Sequence, residues 1–314
     1  MRDKKLSFDY IDTDVAYLVG MITARGAFHQ DGDVRRLVIQ FPYRHEAMTP
    51  VPGSQIDIDR ETALRLSLGD IRARISELLE VDLREERKAH EVSLCAVFPR
   101  ESIGWRNLRL ITGRKSNYLE FEVPGVIFDS ESNIQKEFLR GVADTSCEPS
   151  YADRDQGQRQ RIVIQVQFGN WLLPIQLCRL LQENLGVPVS NILWGHPNLR
   201  APSGGSNWAK ETRIRIFAEA FERIGFYFRY KQIVFEEMVQ FNRQRGDPGP
   251  KACNPKTKTL RGRKPRHKDE GSQKLPQCLC GRHFSSYYKI CTALGCKQGK
   301  RGAQRELFSV GEED

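Results

Sequence analysis

The stretch Leu18-Val19-Gly20-Met21-Ile22-Thr23-Ala24-Arg25-Gly26 lies near the start of the chain, at the end of its first predicted helix. Apolar residues at helical spacing follow an Asp at the cap position, and this pattern predicts a helix over residues 14–23. The polar signal Gln-Asp-Gly-Asp then predicts a hairpin within residues 29–33. Residues 36–41 are rich in β-branched side chains and predict a strand.

A second stretch with a similar pattern follows later in the chain, Leu139-Arg140-Gly141-Val142-Ala143-Asp144-Thr145-Ser146-Cys147. Gly20 and Gly141 are 121 residues apart. A strand signature also recurs, because Arg36-Leu37-Val38-Ile39-Gln40 returns as Arg161-Ile162-Val163-Ile164-Gln165 with an offset of 125 residues. Two signatures with nearly equal offsets and the same order of elements predict an internal duplication.

The remaining pattern alternates helices and strands as far as residue 242. Amphipathic spacing predicts helices over residues 59–80, 133–143, 171–185 and 218–242, the last with a break near Gly225. Alternating apolar residues predict further strands over residues 91–98, 105–111, 161–168, 189–194 and 213–217. This mixture predicts an α+β fold.

The two nine-residue stretches resemble the motif of LAGLIDADG homing endonucleases. The resemblance covers about residues 10–242 and implies two pseudo-symmetric αββαββα repeats that form a DNA-binding saddle. It also implies that the two motif helices pack side by side at a pseudo-two-fold axis, so that the core is monomeric. Close approach of two backbones needs small residues, and Gly20, Ala24 and Gly141 supply them.

The resemblance further implies that each repeat lays an antiparallel sheet over the DNA major groove. Strand alternation then assigns Leu37, Ile39 and Phe41 to the inner face. Arg and Gln on the outer face can make bidentate contacts to guanine and adenine. The outward residues predicted to contact DNA are Arg36, Gln40, Arg161, Gln165 and Gln167, together with Asn107, Arg109, Arg213 and Arg215 from the later strands.

Cleavage in this family, as the resemblance implies, needs an acid at the penultimate position of each motif to hold divalent metal at the scissile phosphates. Those positions hold Arg25 and Ser146 here. Arg25 would place a cation where the metal cation should bind, and Ser146 offers only a neutral ligand. Asp144 and Glu148 flank the second position and remain open as substitutes. The sequence therefore predicts no Mg²⁺ site and no enzyme.

Positive charge is concentrated near the C-terminus. The chain has 314 residues and a formal net charge of +9, and residues 243–301 alone carry 16 Lys and Arg against 3 Asp and Glu. Such a stretch favours a polyanionic partner, most simply nucleic acid. Within it, Arg261, Arg263 and Arg266 form a segment that resembles an AT-hook, which enters A·T-rich minor grooves. An ordinary basic linker that contacts phosphates without sequence preference is the open alternative.

Four cysteines follow the basic linker, at Cys278, Cys280, Cys291 and Cys296. Four thiolates are the ligand set of a tetrahedral structural Zn²⁺, and His283 is a spare ligand. About twenty residues cannot bury a core of their own, so a metal would supply the folding free energy. The sequence therefore predicts one structural zinc.

The predicted organisation has five parts: the first repeat at 1–130, the second at 131–242, a basic linker at 243–277, a zinc element at 278–301 and an acidic tail at 302–314. The sequence has no apolar run near eighteen residues and no secretory signal at its start, so we expect no membrane partner and a cytoplasmic location.

The function predicted from these features is sequence-specific binding of double-stranded DNA without cleavage. A regulatory role, or recognition in a defence or mobile-element locus, would suit it. Two alternatives stay open. One is a metal-dependent site-specific DNA endonuclease, and the other is an intron maturase that binds RNA.

Overall fold

The computed structural model describes residues 11–42, 60–88, 91–150, 159–167, 169–194 and 211–246. The chain divides into two units, Met1–Lys251 and Ala252–Asp314. The second unit lies wholly outside the described residues. The predicted AT-hook arginines, the four cysteines, His283 and the acidic tail therefore all lie outside the described part of the chain.

The first half of the described chain begins with a capped helix. The side chain of Asp12 accepts a hydrogen bond from the backbone N–H of Val15 at 2.8 Å, which satisfies one of the free donors at a helix start. The cap lies two residues before the predicted Asp14. The elements are α1 (Thr13–Arg25), β1 (Gly26–Asp31), β2 (Val34–Pro42), α2 (Arg60–Leu79), β3 (Leu83–Lys88), β4 (Glu91–Phe98) and α3 (Ile103–Ile111).

The second half repeats much of this order. Its elements are α4 (Gly125–Phe128), α5 (Ser132–Ser146), β5 (Cys147–Ser150), β6 (Arg161–Gln167), α6 (Leu172–Arg179), β7 (Asn191–Leu193), β8 (Glu211–Phe217), α7 (Ala218–Phe221) and α8 (Arg229–Arg245). A π-helical turn, Leu180–Asn184, continues α6. The predicted break near Gly225 separates α7 from α8, and α8 continues past the predicted boundary at residue 242.

Two four-stranded sheets carry the architecture. Their strand orders are β1-β2-β4-β3 and β5-β6-β8-β7, and every pairing is antiparallel. The predicted α+β class is confirmed. In both sheets the strand that carries the recurring signature, β2 or β6, takes the second place in the order. In the described ranges, no helix is both long enough and apolar enough to cross a bilayer.

Helices α1 and α5 pack against each other at the centre of the core. Their backbones approach so closely that a Cβ added at Gly20 would lie 2.0 Å from the Phe138 carbonyl oxygen. A Cβ added at Gly141 would lie 2.0 Å from the Tyr17 carbonyl oxygen. Each glycine thus contacts the carbonyl three residues before the other glycine, and only a residue without a Cβ fits either position.

Three strand assignments need correction. Residues 105–111 were predicted as a strand but form α3, because the Ser102 side chain caps a helix there by accepting from the Trp105 N–H at 3.2 Å. Strands β3 and β5 were not predicted. Both are edge strands, and each pairs with one neighbour only, β3 with β4 and β5 with β6.

Candidate nucleic-acid interface

The first sheet carries an exposed polar face on the side away from the core. Leu37, Ile39 and Phe41 of β2 are buried, as the alternation predicts, and Arg36 and Gln40 are half-buried on the opposite face. The register places Arg36 opposite Val97 and Gln40 opposite Ser93. Exposed side chains of β3 lie on the same face, namely Arg84, Glu86 and Lys88.

Arg36 lies along this face. Its Nη2 donates to Glu86 Oε1 at 2.5 Å and to the Cys95 sulfur at 3.4 Å. Burial raises the pKa of the Cys95 thiol, so Arg36 donates to a neutral sulfur. A second ion pair on the face joins Lys88 Nζ to Glu91 Oε1 at 2.7 Å. Acidic side chains therefore lie among the predicted DNA-contacting residues, and the strand pattern of β2 gave no sign of them.

The second sheet differs from the first in exposure. Arg213 and Arg215 of β8 are half-buried, which leaves part of each side chain in contact with solvent. Arg161 and Gln165 of β6, predicted to point outward to DNA, are only 1% and 5% exposed. The alternation assigned their face correctly by register but missed that this part of the face is covered. Gln167 is half-buried and donates to Glu211 at 3.0 Å.

Asn107 and Arg109 do not belong to a sheet face. Both lie in α3, and Asn107 is exposed there. The Arg109 guanidinium packs 5.1 Å from the centre of the Phe28 ring and donates to the carbonyl oxygens of Lys115 and Arg114. These contacts give Arg109 a role in fixing the loop after α3, so its predicted place on a DNA-reading strand is wrong.

Arg25 ends the first motif helix and is buried, with 5% of the residue exposed. Its Nη2 lies 3.7 Å from Glu211 Oε1, and both side chains are 7% exposed. Glu211 begins β8 in the other half of the chain. The position at which family members would need an acid is thus occupied by the cation of a buried ion pair.

Ser146 ends the second motif helix and is also buried. Its hydroxyl donates to the Val142 carbonyl oxygen at 2.6 Å, within the same helix. Glu148 lies in β5 opposite Val163, and its side chain lies outside the described part of the structure. The described contacts therefore place Ser146 in a backbone hydrogen bond.

Asp144 is buried at the junction between the motif helices and the start of α8. Its Oδ2 accepts from the Tyr17 hydroxyl at 2.8 Å and from the Tyr227 N–H at 3.1 Å, and its Oδ1 accepts from the Phe228 N–H at 3.3 Å. Burial raises the pKa of Asp144 to about 6, although the nearby Lys231 cation and these hydrogen bonds lower it. Three donors bond the carboxylate, so Asp144 fixes the start of α8 to the helix pair.

Lys231 completes this junction, and sequence reasoning missed it. Its buried Nζ donates to the carbonyl oxygens of Ala143, Asp144 and Cys147, at 3.3, 2.7 and 3.1 Å. A cation in this position bonds carbonyl oxygens at the end of α5 and complements the negative end of the helix dipole. The ammonium group of Lys231 therefore lies at the end of the second motif helix.

The described ranges do not bring metal-ligating side chains together. Within them, His, Cys, Asp and Glu do not form a cluster of three or more that could hold a metal ion. Cys95, Cys147 and Cys178 are buried and do not form disulfide bonds. The predicted structural zinc concerns cysteines beyond residue 246, outside this part of the chain.

Solved structures with a similar fold are homing-endonuclease and LAGLIDADG-domain proteins. A structure of I-DmoI, a homing endonuclease, in complex with DNA and Mn is 15% identical with a TM-score of 0.37, and the match covers 70% of this chain and 96% of that one. The N-terminal LAGLIDADG domain of DUF199/WhiA is 15% identical with a TM-score of 0.36, covering 76% of this chain and 89% of that one.

Full-length DUF199/WhiA from Thermatoga maritima is 14% identical with a TM-score of 0.34, and the match covers 77% of this chain and 60% of that one. No family model matches the sequence, and no curated protein matches it either. At such low identities and TM-scores, these are distant likenesses of fold, and no ligand or activity of this chain follows from them.

Proposed function

We propose that this chain binds double-stranded DNA in a sequence-specific manner and does not cut it. The observation that carries the proposal is the buried Arg25–Glu211 ion pair at the end of the first motif helix. It occupies the position at which metal-assisted cleavage would need a free carboxylate. The sheet faces beside it still present Arg36, Gln40, Arg213 and Arg215, which are side-chain types that contact bases and phosphates.

An internal duplication is part of the proposal. The equal strand orders of the two sheets support it, and so does the reciprocal contact of Gly20 and Gly141 with the opposite helix. Two such halves related by a pseudo-two-fold axis would let one chain contact two half-sites, as a symmetric dimer does. The basic residues 243–301 would add phosphate contacts, and a regulatory or mobile-element recognition role would suit such a binder.

Selection of bound duplexes from a random library tests the function. We expect recovery of a consensus of about 20 base pairs, the span of two major-groove half-sites. The full-length protein is then incubated for hours with a supercoiled plasmid that carries this site, in Mg²⁺ or Mn²⁺. We expect no linear product, because Arg25 and Ser146 cannot hold the metal.

Two results would contradict the proposal. Enrichment of structured RNA in place of duplex would favour the maturase alternative. Linear plasmid that disappears in an Asp144→Asn protein would establish a nuclease whose acid has moved within the motif. Because Asp144 is held by Tyr17 and two backbone N–H groups, we expect Asp144→Asn to leave DNA affinity and background nicking nearly unchanged.

We also propose that Cys278, Cys280, Cys291 and Cys296 hold one structural Zn²⁺, as four thiolates can. Protein purified without chelator should contain about one zinc per chain by atomic emission. Cys291→Ser should release the metal, while Cys253→Ser, the matched change at an isolated linker cysteine, should retain it. Near-zero zinc in the native protein, with every tail thiol titratable, would refute the site.

A further inference from the structure

We propose that Glu86 competes with DNA for the Arg36 guanidinium and so lowers the affinity of the first sheet for a duplex. This inference rests on the proposed function. It concerns a carboxylate on the proposed DNA-binding face.

The register shows how far Arg36 reaches to make this contact. Arg36 lies on β2 and Glu86 on β3, and β4 runs between them. Cys95 of β4 lies next to Arg84 on one side and Val38 on the other. The Arg36 side chain crosses β4 by the Cys95 sulfur and ends at Glu86, so it runs along the sheet.

This contact matters because a forked contact through both Nη groups needs the same donor. A guanidinium reads guanine by giving two N–H groups to O6 and N7, and it grips a phosphate in the same forked manner. In the structure, the Arg36 Nη2 gives its hydrogen bonds to Glu86 and Cys95. A forked contact that uses Nη2 therefore requires Arg36 to leave Glu86.

The pair can open, because the side chains of Arg36 and Glu86 are 37% and 47% exposed. Exposed ion pairs of this kind are weak, so the cost of opening reduces binding by at most about fivefold.

The test compares full-length variants by fluorescence anisotropy, with the selected duplex and with a mixed-sequence duplex of about 30 base pairs. Glu86→Gln should bind both about two to five times more tightly than the native protein. Glu183→Gln is the matched control, since Glu183 forms an exposed ion pair with Arg179 on a helix. It should change affinity by less than about 1.5-fold.

An Arg36→Gln background separates competition for Arg36 from simple charge repulsion. If Glu86 acts through Arg36, Glu86→Gln should have no more effect in that background than Glu183→Gln has. An equal gain in both backgrounds, or no gain in either, would overturn the inference while leaving duplex binding intact. Failure of the native protein to bind any duplex would overturn the proposed function along with it. Unchanged urea midpoints would confirm that the variants remain folded.

Discussion

Gly141→Ala is expected to destabilise the fold by about 3 kcal/mol or more. The new Cβ would lie 2.0 Å from the Tyr17 carbonyl oxygen and 3.0 Å from the Met21 nitrogen, both of which are backbone atoms. Neither atom can move by a rotamer change, so α1 and α5 would have to separate at the centre of the core. Urea unfolding followed by circular dichroism measures the loss.

A glycine elsewhere in the same fold provides the control. Gly69 lies in α2, is exposed, and has no atom within 4 Å of an added Cβ. Gly69→Ala should stabilise the protein by about 0.5–1 kcal/mol, because Ala is the better helix former. The same chemical change should therefore have opposite signs at the two positions. A small or stabilising effect of Gly141→Ala would contradict the close helix contact.

The helices of the core could be predicted from sequence because their signals are local. Apolar spacing lies within the segments themselves, and α1, α2 and α5 follow it closely. Residues 105–111 were predicted as a strand because their apolar residues were taken to alternate with period two, whereas they have the helical period. Trp105 and Leu108 are buried three residues apart after the Ser102 cap, which is a helical pattern, but the same residues also fit an alternation.

Strand β3 could not be found in this way. Leu83 is the only fully buried residue in Leu83–Lys88, and the segment has no β-branched residue. Its conformation is set by hydrogen bonds to β4. Edge strands of this type depend on a partner, so their own composition does not reveal them.

The sequence indicated which face of a strand a residue occupies but not what covers that face. Arg36 and Arg161 occupy matching positions in the strand signature, yet Arg36 is half-buried and Arg161 is 1% exposed. The partner of Arg25 was equally hidden, because Glu211 lies 186 residues away in the chain. Contacts at such separations depend on the assembled fold, and no local pattern encodes them.

Asp144 gives the second large effect, a dependence of stability on pH with an unusual sign. Burial raises its pKa from 3.8 to about 6 in the folded protein. Between pH 3.8 and about 6, Asp144 is therefore mostly protonated in the folded protein and mostly ionised in the unfolded chain. The contribution of this group to stability is fully present at low pH and is lost as the pH rises through about 6.

We expect this loss to amount to about 2 kcal/mol between pH 4 and pH 7. Asn at this position is neutral at every pH, so Asp144→Asn does not titrate. The variant loses part of the hydrogen bonding to Tyr17, Tyr227 and Phe228, because an amide has one accepting oxygen in place of two. That cost is constant with pH, whereas the cost of the buried carboxylate in the native protein grows as the pH rises.

The difference in unfolding free energy between the native protein and Asp144→Asn should therefore shift in favour of Asn by about 2 kcal/mol from pH 4 to pH 7. Urea unfolding at several pH values measures it, and contributions from other titrating groups cancel in the difference. Asp33→Asn, in the exposed hairpin turn, is the control for the effect of an Asp-to-Asn change on stability at an exposed position. If the curves for the native protein and Asp144→Asn stayed parallel, Asp144 would titrate alike in both states, and the Lys231 cation and the three donors would then balance its burial in full.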